Sequence, residues 1–130
     1  MIVLDTHIWV WWVHGDEKLT PAQAEIIQAN EDGVIGVSAI SLWEIAKLVE
    51  YGRLELPVPL EKWFSQALGY PGIQVIDLTP EIVVESTHLP GEFHKDPADQ
   101  IIVATARILK CKLITSDEKI LTYPHVKTVG

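Results

Sequence analysis

Short apolar runs without alternation recur along the chain, separated by longer stretches in which apolar residues return at helical spacing. Ile2-Val3-Leu4-Asp5, Val34-Ile35-Gly36-Val37, Ile73 to Leu78, Lys112 to Thr115 and Val126 to Val129 read as strands. Between them the pattern predicts helices, each with its own start or stop signal. Thr6 to Trp12 runs toward Gly15. Thr20-Pro21-Ala22-Gln23 offers a capping threonine, a first-turn proline and a glutamine at the capping-box position, and opens a helix to about Asn30. Ser38 or Ser41 caps the next helix, which ends at Gly52. Further helices are expected around 60–69, from Thr79-Pro80-Glu81 to about His88, from Asp96-Pro97 to Leu109, and from Asp117 to Leu121.

Strands therefore alternate with helices throughout, which predicts a parallel sheet covered on both faces. Ile2-Val3-Leu4 and Leu113-Ile114 agree, because a strand buried on both faces is apolar without interruption. The expected fold class is α/β. Alternation alone does not set the order of the strands.

Four carboxylates interrupt this apolar pattern. Asp5 closes the first strand, Glu44 lies inside the helical run Ser41 to Ala46, Asp99 opens the long helix, and Asp117 follows the strand Lys112 to Thr115. The ends of strands are where open α/β sheets bind ligands. If folding brings these acids together, the pocket needs protons or a divalent cation to be stable.

Each acid also has a plainer reading. Asp5 and Asp96 suit helix N-caps, and Ser116 or Asp117 could cap the short helix that follows. Asp99 sits in a first turn, where the helix dipole favours negative charge. Glu44 has the weakest such explanation. It lies between Ile40 and Leu48 on one stripe of its helix, while the wetter stripe runs through Lys47, Glu50 and Tyr51. Thr115 and Ser116 add hydroxyls next to Asp117, able to bind a metal-bound water or a phosphate. Carboxylate oxygens are the ligands that Mg²⁺ or Mn²⁺ prefers. An ion so held activates water and neutralises charge on a phosphodiester, and a further acid can accept the proton.

Composition narrows the setting. At 130 residues with 48% apolar content, the chain suits one domain, 1–130, with a core that needs no staples. The lone Cys111 excludes an intramolecular disulfide and fits a reducing, cytoplasmic environment. The apolar start Met1 to Val13 carries Asp5, lacks a basic segment, and is too short to span a membrane. Net charge is −8 at pH 7, which by itself opposes nucleic-acid binding. The four carboxylates account for half of that excess, and bound cations would cancel more; an acidic surface also suits a basic protein partner.

Other chemistries find little support. His7, His14, His88, His94 and His125 show no His-x-x-x-His spacing, and no Cys-x-x-Cys is present, so zinc is not expected. Phosphate-binding glycine loops and a Gly-x-Ser-x-Gly elbow are missing from the sequence. Trp9, Trp11, Trp12, Trp43 and Trp63 read as core and interface residues, with stacking on unpaired bases as the sharper alternative.

Taken in order, four segments resemble the PIN-domain family, and within it the VapC-type ribonuclease toxins of prokaryotic toxin–antitoxin pairs. They are Ile2-Val3-Leu4-Asp5-Thr6-His7; Ser38 to Ala46 with Gly52-Arg53-Leu54; His94-Lys95-Asp96-Pro97-Ala98-Asp99-Gln100; and Leu113-Ile114-Thr115-Ser116-Asp117. The resemblance covers nearly the whole chain. It implies a three-layer α/β/α sandwich with a small, mainly parallel central sheet. It also implies a catalytic set of Asp5, Glu44, Asp99 and Asp117, with Asp5, Asp99 and Asp117 as ligands of Mg²⁺ or Mn²⁺. Glu44 would act through water, with Asp96, Thr115 and Ser116 as auxiliaries. The implied activity is endonucleolytic hydrolysis of single-stranded RNA leaving a 5′-phosphate. The implied partners are a cognate, VapB-like antitoxin and a second copy of the chain, with no membrane. Gln100 departs from the family's usual arginine, which removes a positive charge near the site. The rival readings are a catalytically silent interaction module and, ranked lower, a structure-specific DNA nuclease.

Overall fold

The first strand, β1 (Ile2–Leu4), lies at the centre of a five-stranded sheet in the computed structural model, which describes residues 1–130. In chain order the elements are β1, α1 (Thr6–His14), α2 (Pro21–Ala29), β2 (Ile35–Ser38), α3 (Ala39–Glu50), α4 (Leu60–Ala67), β3 (Ile73–Ile76), α5 (Pro80–Ser86), α6 (Pro97–Leu109), β4 (Lys112–Ile114), α7 (Glu118–Leu121) and β5 (Thr128–Val129). The strand order is β3-β2-β1-β4-β5, and every pairing is parallel. The parallel sheet predicted by the alternation is therefore present, and the α/β sandwich implied by the resemblance has a sheet that is parallel throughout.

Local signals account for the element ends. Thr20 and Gln23 form the reciprocal capping box, with Pro21 in the first turn of α2. Ser38, not Ser41, caps α3 through the Ile40 amide. Gly15 ends α1 with φ of 62°, a left-handed conformation that favours glycine. The differences from expectation lie at boundaries. β2 starts and ends one residue later than predicted, β3 stops at Ile76, and β5 is only two residues long. α4 stops at Ala67 and α5 at Ser86.

β1 explains why the sheet is covered twice. Ile2 and Leu4 face one apolar cluster with Ile8 and Trp9 of α1, Ile27 of α2, Ile45 of α3 and Trp63 of α4. Val3 faces the other, with Ile102, Val103 and Ala106 of α6 and Ile120 of α7. Helices thus lie on both faces of the sheet, α3 contributing to both clusters through Ile45 and Ile40. β1, β2 and the last two residues of β4 are buried, whereas the edge strand β3 is half-covered. No helix is long and apolar enough to cross a membrane.

The order matters for function. From β1 the chain builds outward through β2 and β3, then returns to place β4 on the other side of β1. The C-terminal ends of β1 and β4 therefore flank the point where the winding reverses, the position at which open α/β sheets form a ligand crevice.

Candidate active site

A cavity of about 310 Å³ opens at that reversal, lined by Asp5, Thr6, His7, Trp11, Glu44, Asp96, Asp99, Ser116 and Asp117. Asp5 follows β1, and Ser116 and Asp117 follow β4. Glu44 comes from α3, behind β2, and Asp96 and Asp99 come from the start of α6. The structure thus brings together all four carboxylates singled out in the sequence, along with Asp96 and Ser116. Thr115 lies immediately behind them, fully buried.

Hydrogen bonds fix each acid individually. Asp5 is 7% exposed. Its Oδ1 accepts from the Thr6 amide at 2.8 Å and its Oδ2 from the Thr115 hydroxyl at 2.7 Å. Thr115 Oγ1 also accepts from the Asp117 amide at 3.0 Å, so one hydroxyl ties Asp5 to the loop that carries Asp117. Thr6 Oγ1 lies 2.5 Å from Glu44 Oε1 and 2.8 Å from Ser41 Oγ. Asp99 Oδ2 lies 2.6 Å from His94 Nε2, and the Asp99 amide donates to Asp96 Oδ1 at 3.1 Å. The plainer readings hold as well: Asp5, Asp96 and Asp117 each cap a helix. Asp99 is a first-turn acid, and Glu44 belongs to no helix end.

Thr6 and His94 carried no sequence signal for a role of their own, and Ser41 and Gln23 stood out only as helix-cap residues. Thr6 and Ser41 form the hydroxyl bridge to Glu44. Gln23, fully buried, uses its amide twice. It completes the α2 cap through Oε1, and it donates through Nε2 to Ser116 Oγ at 2.9 Å and the Thr115 carbonyl at 3.3 Å. Only its capping-box spacing was legible in advance. Its second task depends on α2 packing beside the end of β4.

The site's electrostatics follow from burial of like charges. Desolvation pushes the Asp5 carboxyl above the ordinary range, against the hydrogen bonds from Thr115 and Thr6. Desolvation likewise raises Asp99, opposed by the His94 hydrogen bond and reinforced by Asp5, Asp96 and Asp117. Glu44 is raised to about 7, first by desolvation and then by repulsion from Asp5, Asp99 and Asp96, with the Thr6 hydrogen bond working the other way.

An oxygen-only donor set of this kind suits a hard divalent ion. As they stand, however, no three acidic, histidine or cysteine side chains gather into a coordinating cluster. The reason is visible in the bonds above. Asp5 is turned to Thr115, Glu44 to Thr6, and Asp99 to His94 through Oδ2.

Residues 2–126 match the family model described as "PIN domain". The chain belongs to the PIN-domain family. The resemblance drawn from the four ordered segments is therefore borne out. This PIN domain is 30% identical over 128 residues to Ribonuclease VapC22 of Mycobacterium tuberculosis, spanning 98% of this chain and 95% of that protein. In fold it is similar to VapBC2 from Rickettsia felis bound to a DNA fragment from their promoter, at a TM-score of 0.72 and 18% identity, covering 99% and 98% of the two chains. It is also similar to a toxin–antitoxin complex from Klebsiella pneumoniae, at a TM-score of 0.69 and 20% identity, covering 100% and 97%. Within the PIN domain the four acids come from the ends of β1 and β4, the start of α6 and the middle of α3.

Proposed function

We propose that this PIN domain is a divalent-metal-dependent endoribonuclease, the toxin of a toxin–antitoxin pair, hydrolysing phosphodiester bonds in single-stranded RNA in the cytoplasm. The observation that carries this reading is the convergence of Asp5, Glu44, Asp99 and Asp117, from four separate elements, on one cavity at the reversal of the sheet. A relative that bears the name ribonuclease over nearly the full length supports the reaction class. Structural relatives described as toxin–antitoxin complexes support an antitoxin as partner. By the same family resemblance the toxin works as a homodimer.

In this reading Asp5, Asp99 and Asp117 hold Mg²⁺ or Mn²⁺. When bound, the ion lowers the pKa of a water and offsets charge on the phosphate under attack. The chain's own residues do the rest. Thr115 fixes the rotamer of Asp5 and the loop of Asp117 together. Gln23 holds the Ser116 hydroxyl from behind. His94 keeps Asp99 at the mouth of the site. Glu44 is suited to accept a proton from the attacking water, at the oxygen that Thr6 leaves free.

The test is cleavage of RNA by the purified protein in Mn²⁺, with the product ends mapped. The expected result is internal cuts with 5′-phosphate ends, abolished by EDTA and by Asp5→Asn. Intact RNA with the wild-type protein in Mn²⁺ would leave the rival of a silent interaction module, which the cap roles of Asp5, Asp96 and Asp117 favour. Cleavage confined to branched DNA would leave the nuclease rival instead. In a host, induction of the wild type should arrest growth while Asp5→Asn does not.

A further inference from the structure

The structure separates the five tryptophans by task. Trp9 and Trp63 are buried against each other, with ring centroids 5.2 Å apart. Trp12 pairs with Tyr70 at 5.1 Å, and Trp43 stands on the surface of α3 beside Lys47. Trp11 is different: it is the one apolar residue among the nine that line the carboxylate cavity. His7, one helical turn earlier, stands beside it with ring centroids 6.2 Å apart and planes at 54°. Lys18 Nζ lies over the Trp11 ring at 5.9 Å.

That lysine is placed by a folded turn. After Gly15 reverses the chain, the Asp16 amide donates to the Trp11 carbonyl at 2.9 Å. Asp16 Oδ1 in turn accepts from the Lys18 amide at 2.9 Å. The turn thus fastens a cation beside the aromatic wall of a cavity otherwise crowded with carboxylates. Lys18 is exposed, so its attraction to the ring is weak and its ammonium is free to swing to a neighbouring anion.

We propose that Trp11 is a stacking platform for an unpaired RNA base next to the phosphate held by the carboxylates, with Lys18 taking the adjoining phosphate. This rests on the ribonuclease reading above and deepens it. A flat aromatic face accepts any base, but only a base free of its duplex can be laid on it. The preference for single strands then has a physical cause at the site itself. Lys18 meets a second need: an RNA backbone entering a cluster of acids requires a cation at the entrance.

The experiment is fluorescence anisotropy with labelled oligoadenylate and oligouridylate in Mn²⁺, using a Glu44→Gln background that removes the proton acceptor while keeping Asp5, Asp99 and Asp117 as metal ligands. Trp11→Leu keeps apolar bulk against the core and removes the flat face; Trp11→Phe restores a face. The expected result is about tenfold weaker RNA binding for Trp11→Leu, largely recovered by Trp11→Phe. An abasic strand with the same phosphates should bind as weakly to the parent as to Trp11→Leu. Lys18→Ala should reduce the slope of log affinity against log salt by about one. Melting curves and Mn²⁺ binding should be unchanged across the series, which separates loss of the platform from loss of the fold or of the metal site. Equal RNA affinity in the parent and Trp11→Leu would overturn the platform alone. A parent that binds no RNA would overturn the platform and the ribonuclease reading together.

Discussion

Burial of like-charged carboxylates makes stability fall as pH rises, and Glu44 provides a measurable case. Its folded value of about 7 lies above the ordinary 4.5. Between those two values the folded protein binds more protons than the unfolded chain. Stability is therefore fully present below about pH 4.5 and is lost as pH climbs through about 7. The separation corresponds to about 3 kcal/mol if none of it is screened. Glu44 keeps partial contact with water, so about 1.5 kcal/mol is the expected contribution. For a chain of this length that is about 5 °C in Tm. The assay is thermal melting in EDTA from pH 5 to pH 8, comparing wild type with Glu44→Gln. Gln retains an oxygen for the Thr6 hydroxyl but carries no charge. The wild type should lose about 5 °C more than the variant across the window, because Asp5, Asp99 and the net negative charge act with the same sign in both. Saturating Mn²⁺ at pH 8 should restore the wild type, by about 2.7 kcal/mol at a hundredfold excess over Kd. Parallel pH profiles for the two proteins would refute the assignment of Glu44 as a half-buried, repelled acid.

Three other outcomes follow from the same contacts. Thr115→Val keeps the shape but strips Asp5 of a donor and the Asp117 amide of an acceptor, so urea melts should show a loss of about 2 kcal/mol along with most of the RNase activity. Gln23→Leu removes a capping-box partner and the support of Ser116 in one step; a loss of about 2 kcal/mol is expected by the same assay, with α2 melting first in hydrogen exchange. His94→Ala removes the hydrogen bond that holds down the Asp99 carboxyl, so the acid limb of the pH–rate profile should move to higher pH, and an unmoved limb would show that His94 does not tune Asp99.

Most of the elements were legible because their signals are local. The Thr20-Pro21-Gln23 start, the Ser38 cap and the Asp96-Pro97 start all act within one turn of chain. Uninterrupted apolar runs identified β1 and β4 as strands buried on both faces. Boundaries were less legible where tertiary pairing decides them. β5 keeps only the residues that reach Leu113 and Ile114, and β3 ends where its partner β2 passes into α3.

The site divides the same way. Asp5, Asp99 and Asp117 stood out by position relative to their elements, and Glu44 by lying on an apolar stripe. Thr6, Gln23 and His94 did not, since their importance is a matter of what they meet. The Thr6–Glu44 contact spans 38 residues, Gln23–Ser116 spans 93, and Thr115–Asp5 spans 110. Trp11 could not be told from its neighbours Trp9 and Trp12 until helix α1 was rotated into place against the sheet.

By itself, then, the sequence determined an alternating α/β chain, the elements that carry four acids, and through their order a family. The strand order was decided only by tertiary structure, because parallel strands are joined by crossovers whose direction no local signal records. That order puts the ends of β1 and β4 side by side. It converts acids with separate local explanations into one mutually repelling set around a single cavity, and repulsion and desolvation are properties of the assembled site rather than of any segment.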